Sequence, residues 1–447
     1  MLIFSIITAF PSLYAEFFSI SLVRLAQERG LIKFNMIKFS DQCQPKEPID
    51  EPTVGPGPGM ILKPSVVASA IEKAQQSHGR GYTIFFTPQG KVLDQQLLVS
   101  IAANVCSAEH SNEVEASVEK DSHIVLVCSR YEGCDTRVEN FYADLRLSLG
   151  DYVLMGGDLP AQVFLEGFLR LIPGIVGNKE SVIQDSFGAE LLDHDEFGLP
   201  VEWQGFLVPE ILRSGDHGKI KKWREDNALS KTILRRFDWF RKNVSSESLI
   251  KQAYNKIPSH YVALMHGEVL VKSGEVGTTS VTSIDLHDIA RTSQSYGIEQ
   301  FFAVTPLVDQ TEIVKTFMEF WSSEAGNKFN STRSRSTSCL VLAKTFDEVC
   351  AQITEKEGCE PLVITTSARA VSGLQAIDFY DQEVVWSQNR PVLFVFGTGQ
   401  GLAPSILERG DYLLPPVRGM TNYNHLSVRS AVAIILDRWM GLNFKKK

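Results

Sequence analysis

Long apolar runs are missing from this chain. No stretch reaches the roughly 18–20 apolar residues needed to cross a bilayer. The apolar start, Met1 to Ala9, has no basic flank, is interrupted by Ser5 and Thr8, and is soon followed by Pro11 and Glu16. It reads as a buried first strand, not a leader or membrane anchor. Paired cysteines are also lacking: the seven (Cys43, Cys106, Cys128, Cys134, Cys339, Cys350 and Cys359) include no CxxC pair. They are expected to be reduced, mostly buried thiols of a cytoplasmic protein, with zinc disfavoured. Nor is there an excess of positive charge. A net charge of −9 argues against simple coating of nucleic acid, yet leaves room for a local basic face. The rest is ordinary for a soluble globular protein: 447 residues, 44% hydrophobic and 22% charged, enough for two or three domains with their own cores.

What is present is a repeated plan. An apolar strand runs into Cys128-Ser129-Arg130-Tyr131-Glu132-Gly133, and Gly150-Asp151-Tyr152-Val153-Leu154 follows. Far downstream come Phe396-Gly397-Thr398-Gly399-Gln400-Gly401 and then Gly410-Asp411-Tyr412-Leu413-Leu414. In each copy the Gly-Asp-Tyr segment is expected as a strand, and an apolar helix closes the unit. Glycines at strand ends let backbone approach a ligand with no Cβ in the way. Two α/β units of related architecture are therefore expected.

Strand-like and helical stretches alternate in the first unit: strands at 2–8, 33–39, 82–87 and 123–128, helices at 19–28, 65–76 and 95–104. That alternation predicts a parallel sheet covered by helices on both faces. Pro45 to Pro58 reads as a long loop, and Asn178 to about Pro209 as an ordered functional loop or linker. From Val208 to Lys242 the pattern turns helical and basic, with Lys219, Lys221, Lys222, Arg224, Lys231, Arg235, Arg236, Arg241 and Lys242 among Trp223, Phe237, Trp239 and Phe240. This mixture suits phosphate contact and base stacking, although core packing is the better reading for the aromatics. Residues 243–258 read as a linker. Residues 259–447 alternate again, with a polar Arg-bearing loop at Asn327 to Ser338. The final helix, Ser427 to Met440, ends at Gly441, expected as a left-handed C′ residue.

Several motifs in the first unit occur in a set order: Thr87-Pro88-Gln89-Gly90, Arg130-Tyr131-Glu132-Gly133, Gly150 to Pro160, Arg170-Leu171-Ile172-Pro173-Gly174 and Asp185-Ser186-Phe187. Together they resemble the bacterial TrmD family, tRNA (guanine-N1)-methyltransferases of the SPOUT class, over residues 1 to about 242. The resemblance implies a parallel sheet with a deep trefoil knot, a rare exception to unknotted topology. It implies S-adenosylmethionine as methyl donor, guanosine at tRNA position 37 as target, and a homodimer in which one subunit's Asp-Ser-Phe loop completes the other's pocket. A bent, cationic donor with an adenine ring needs an apolar slot bordered by backbone. The residues implied for it are Pro88, Ser129, Tyr131, Glu132, Gly133, Tyr152, Leu154, Gly156, Gly157 and Pro160. Guanine N1 must lose its proton as it attacks, and a carboxylate within reach can take it; the resemblance makes that Asp185. Arg170 is implied as the cation facing charge that develops on O6. Gly59, Asp193, Lys221 and Arg224 are implied to contact RNA. Mg is compatible with this chemistry but not legible in the sequence. Two departures stand out: Pro52-Thr53-Val54 where the family usually has Arg-Pro-Tyr, and Ser129 where it usually has Gly. The alternative, a non-catalytic SPOUT-fold RNA-binding scaffold, would tolerate loss of Asp185 and Arg170, and both are present.

Residues 260–442 resemble a second SPOUT-type domain, described as an S-adenosylmethionine-dependent RNA methyltransferase. The carriers are His287-Asp288-Ile289-Ala290-Arg291, Thr366-Ser367-Ala368-Arg369, Phe396 to Leu402 and Asn424 to Ala431. Gly397, Gly399, Gly401, Asn424 and Ser427 are the expected donor pocket. The loop fails as a dinucleotide GxGxxG because Leu402 stands at the third glycine. No counterpart of the Asp185 loop follows. A base would have to be Asp288, His287, His425 or a substrate group, and a binding or dimerising role is equally open.

Overall fold

Leu2–Thr8 is buried at every position, Leu-Ile-Phe-Ser-Ile-Ile-Thr. A strand with no exposed face must sit inside a sheet covered on both sides. The computed structural model, which describes residues 1–55, 59–106, 122–176 and 185–443, places it there. The chain forms two compact units, Met1–Ala189 and Glu190–Lys447.

The first unit holds a five-stranded sheet: β1 (Leu2–Thr8), β2 (Ile32–Lys38), β3 (Tyr82–Val92), β4 (Ser122–Val127) and β5 (Leu145–Ser148). Their spatial order is β2-β1-β4-β3-β5, and every pairing is parallel. Side chains alternate between two cores, as the period of two requires. Phe4 and Ile6 join Phe164 and Phe168 on one face, while Ile7 joins Val67, Ala70 and Ile71 on the other. The second group comes from helix α1 (Pro64–His78), which begins at a proline and ends at Gly79 with φ 78°. Truncating a fully buried ring such as Phe164 to alanine should cost about 3–5 kcal/mol.

The second unit repeats the plan with β6 (His260–Met265), β7 (Gln300–Val304), β8 (Leu340–Ala343), β9 (Leu362–Thr366), β10 (Val392–Gly397) and β11 (Tyr412–Leu414). The order is β8-β7-β6-β10-β9-β11, again all parallel. Removing edge strand β8 leaves the order of the first sheet: second, first, fourth, third, fifth. Val262 and Leu264 face one core, Tyr261, Ala263 and Met265 the other.

The basic segment forms α2 (His217–Arg235) and α3 (Phe237–Asn243). Three of its four aromatics are buried, Phe237, Trp239 and Phe240, and the two phenylalanines share a cluster with Trp386 and Trp439, while Trp223 is only partly buried, beside Phe197. Residues of the expected linker, Val244 and Ala253, join the same cluster. Arg241 is structural as well. Its guanidinium donates to the carbonyls of Asp437, Arg438 and Gly441, which end the last helix, α4 (Val428–Met440).

Four local expectations need correction. Gly150 to Leu154 is an exposed loop after β5, whereas Tyr412–Leu414 is a strand, so the two Gly-Asp-Tyr segments occupy different places. Asn327 to Ser338 is mostly helix, Glu324–Phe329 and Ser331–Thr337, because the Ser323 and Asn330 side chains cap the two N-termini. Gly441 is not left-handed: its φ is −63°, and a Cβ there would meet the Asp437 carbonyl at 2.3 Å. Within the expected loop at 45–58, Asp50–Pro52 pairs with Met60–Leu62, while residues 56–58 lie outside the described residues.

Candidate active site and a second pocket

In the first unit a bulge within β3 gathers with the loops that follow β4 and β5. Thr87 to Gly90 interrupts β3 where its register with β5 shifts between Phe86 and Lys91. Gly90 permits this bulge, since a Cβ there would strike the Leu147 backbone nitrogen at 2.4 Å. Pro88 sits exposed on the bulge. The loop after β4 turns sharply through Tyr131, with φ 59°, and Gly133, with φ 104°. The loop after β5 leans on it. Gly157 N donates to Ser129 O at 2.8 Å, and Arg130 bridges Gly156. A Cβ on Gly157 would meet Cys128 Cα at 2.8 Å, so this contact needs glycine.

Glu132 N donates to Met60 O at 3.0 Å, and a Cβ on Gly59 would meet the Glu132 carboxylate at 2.6 Å. Gly59 therefore seats Glu132 against its loop. Ser129 is buried, its hydroxyl lying against Cys134, whose thiol burial pushes up to about 12. Tyr131, Tyr152 and Leu154 are exposed around the loops, and Pro160 is buried in the first turn of Asp158–Leu169. Glycine backbone bordered by two tyrosines and a leucine fits a slot for a flat ring and its polar edge.

Arg170 follows directly on the helix Asp158–Leu169, and its guanidinium pairs with the Asp185 carboxylate. Both side chains are partly exposed, so the pair is open to a substrate. Sequence reasoning missed Asp158. It is buried, accepts from Thr8 at 2.5 Å and from Tyr14 at 3.3 Å, and has Oδ2 without a partner. Burial raises its pKa. A carboxylate directly after Gly-Gly and before an apolar helix was the available signal.

The implied RNA contacts divide between the units. Asp193, Lys221 and Arg224 lie in the second; Lys221 and Arg224 are exposed, and Asp193 accepts from His194 N at 2.8 Å.

The second unit has its own cavity, about 910 Å³, at the C-terminal ends of β6, β9 and β10. Gly397, Gly399, Gly401, Asn424 and Ser427 all line it. The glycine loop is clamped: Gln400 N donates to Leu270 O and Leu270 N to Gly401 O, at 2.8 and 2.9 Å. Gly399, φ 61°, leaves room for Leu270 O, which a Cβ would approach to 2.7 Å. Asn424 ties the pocket's outer loop to Ala368 O at 2.6 Å, and Ser427 stands just before α4 with its hydroxyl 2.8 Å from Ser430 Oγ.

Residues 2–242 match the family described as tRNA (Guanine-1)-methyltransferase TrmD. The chain belongs to this family. Residues 259–441 match a second family, SAM-dependent RNA methyltransferase. The full plan recurs in a tRNA (guanine-N(1)-)-methyltransferase of Oleidesulfovibrio alaskensis, 32% identical and covering 98% of this chain and 99% of that protein. A protein of the same description from Nitratidesulfovibrio vulgaris is 33% identical with the same coverage. That from Deinococcus radiodurans is 39% identical over 53% of this chain and 80% of its own length.

The candidate bases of the second unit fare differently. Asp288 is engaged by Arg429, 3.6 Å away, which also pairs with Asp285. His287 packs edge-on to Phe317 and Trp321 with Nδ1 buried. His425 lines the cavity beside Tyr423. Among the described residues no cluster of three His, Cys, Asp or Glu is arranged to hold a metal, and no helix is long and apolar enough to cross a membrane.

Proposed function

We propose that the first unit methylates N1 of guanosine at tRNA position 37, with S-adenosylmethionine held by the bulge and the two loops. When bound, that donor supplies an electrophilic sulfonium methyl group. The Asp185 carboxylate accepts the N1 proton, which would otherwise block the attacking lone pair. The Arg170 guanidinium faces the charge displaced toward O6. The observation that carries this reading is the Arg170–Asp185 pair itself, one acceptor and one cation side by side at the end of the loop-bearing helix. Gly156 and Gly157 bring backbone to the donor's polar edge, and the knot of this class would run through the same loops.

Lys219, Lys221, Lys222 and Arg224, all exposed in the first turns of α2, would hold tRNA phosphates. The second pocket would hold a second methyl donor. A homodimer is supported by exposed apolar groups on the first unit: Leu159 and Val163, one turn apart on their helix, with Val153 and Met155 in the preceding loop. A cytoplasmic location accords with tRNA as substrate.

The test is incubation of the full-length protein with labelled methyl donor and an unmodified tRNA transcript carrying guanosine 37. Label at guanine N1 that disappears in Asp185→Ala supports the reading. Equal labelling by the variant would overturn Asp185 as the proton acceptor.

A further inference from the structure

At the end of β6, the central strand of the second sheet, His266 is 1% exposed and lines the cavity. Three hydrogen bonds around it orient one another through donor and acceptor capacity. Thr398 Oγ1 lies 2.8 Å from Met265 O, and a carbonyl only accepts, so the Thr398 proton points there. Thr279 Oγ1, 2.5 Å from Thr398 Oγ1, must then donate to it. With that proton spent, Thr279 is an acceptor toward His266 Nδ1, 3.2 Å away. His266 is thereby fixed as the Nδ1–H tautomer, with a bare lone pair on Nε2. That nitrogen is buried and has no partner. A buried acceptor left empty is destabilising, so a residue wired this way is suited to a ligand that donates to it.

We infer that His266 Nε2 is the fixed hydrogen-bond acceptor of the second pocket, reading an N–H or O–H group of the nucleoside ligand bound there. This rests on the proposal that the pocket holds a second methyl donor, with RNA as the substrate class of the family matched there. The role is positioning, not proton removal: desolvation lowers the His266 pKa to about 4, and so weak a base stays neutral beside an amide or hydroxyl. Thr279 and Thr398 serve by holding the tautomer.

The test uses the full-length protein, S-adenosylhomocysteine as probe and an RNA oligonucleotide as second ligand. Calorimetry should find two equivalents of S-adenosylhomocysteine per chain. Long-range proton–nitrogen spectra should show unprotonated Nε2 at His266, shifting toward the hydrogen-bonded value when the pocket fills. A shift with S-adenosylhomocysteine alone places the donor group on that nucleoside; a shift only after RNA is added places it on the RNA. For the ligand that causes the shift, His266→Phe should weaken binding at the second pocket roughly tenfold, and His266→Gln should restore part of the loss. Thr279→Val leaves the imidazole in place but unlocks it, and should give a smaller loss with a mixed tautomer signal. A filled pocket with an unmoved Nε2 and unchanged affinity in His266→Phe overturns the inference alone. A single equivalent of S-adenosylhomocysteine, with no RNA-dependent shift, overturns the reading beneath it as well.

Discussion

The two sheets share a strand order but equip the same corner differently. At the end of β1 the first unit has Thr8 and Tyr14 serving a buried carboxylate, Asp158; at the end of β6 the second has Thr398 and Thr279 serving a buried imidazole, His266. The first has a carboxylate–guanidinium pair after its helix, Arg170 with Asp185, whereas in the second the pair of Arg429 with Asp285 lies at the start of α4. The architecture is thus a ligand-holding platform, and the chemistry depends on what is added around it.

Substitutions can pull the two units apart. The largest effect is expected at the added pair: Asp185→Ala should reduce guanine N1 methylation about 10²–10⁴-fold, while His266→Phe leaves that activity unchanged. Next come the glycines at close backbone contacts. Gly157→Ala pushes a methyl into Cys128 Cα, and Gly397→Ala pushes one to within 2.5 Å of Leu402 N. Each should weaken donor binding at least tenfold in its own unit and leave the other unit's affinity intact, as calorimetry would show.

Both units bury histidines, His123 in the first and His260 and His266 in the second, and burial lowers the pKa of each. His260 accepts from both Trp386 and Trp439 while its Nδ1 faces Pro258 O, and burial lowers its pKa to about 4, as for His266. Both pKa values are depressed on folding, so the unfolded chain binds these protons first. Their contribution is therefore complete above pH ~6.5 and lost as the pH falls toward about 4, by roughly 3 kcal/mol each. Denaturation curves between pH 7 and 4 should show the second unit losing stability faster, with a shallower slope in His260→Phe. A smaller effect is expected from Arg241→Ala, which strips three carbonyls of their donor at the end of α4. It should cost the second unit about 1–3 kcal/mol with no change in methylation at 25 °C.

The sequence made the sheets legible because strands buried on both faces are written as continuous apolar runs. It pointed to the first candidate site through ordered motifs, not through any single residue. The helices over 324–337 were hidden by their polarity; their signals were the caps Ser323 and Asn330. The repeated Gly-Asp-Tyr misled in detail: three shared letters fell on a loop in one unit and a strand in the other. His266 was invisible because Thr279 and Thr398, which give it meaning, lie 119 residues apart in sequence and meet only in the fold. Arg241 was hidden the same way, its carbonyl partners lying up to 200 residues away.

The most direct measurement is a count of S-adenosylhomocysteine bound per full-length chain, wild type against Gly397→Ala, alongside guanine N1 methylation. Two equivalents falling to one in the variant, with N1 methylation intact, is the predicted result. One equivalent in both proteins, or loss of N1 methylation in the folded variant, would contradict two separately equipped pockets.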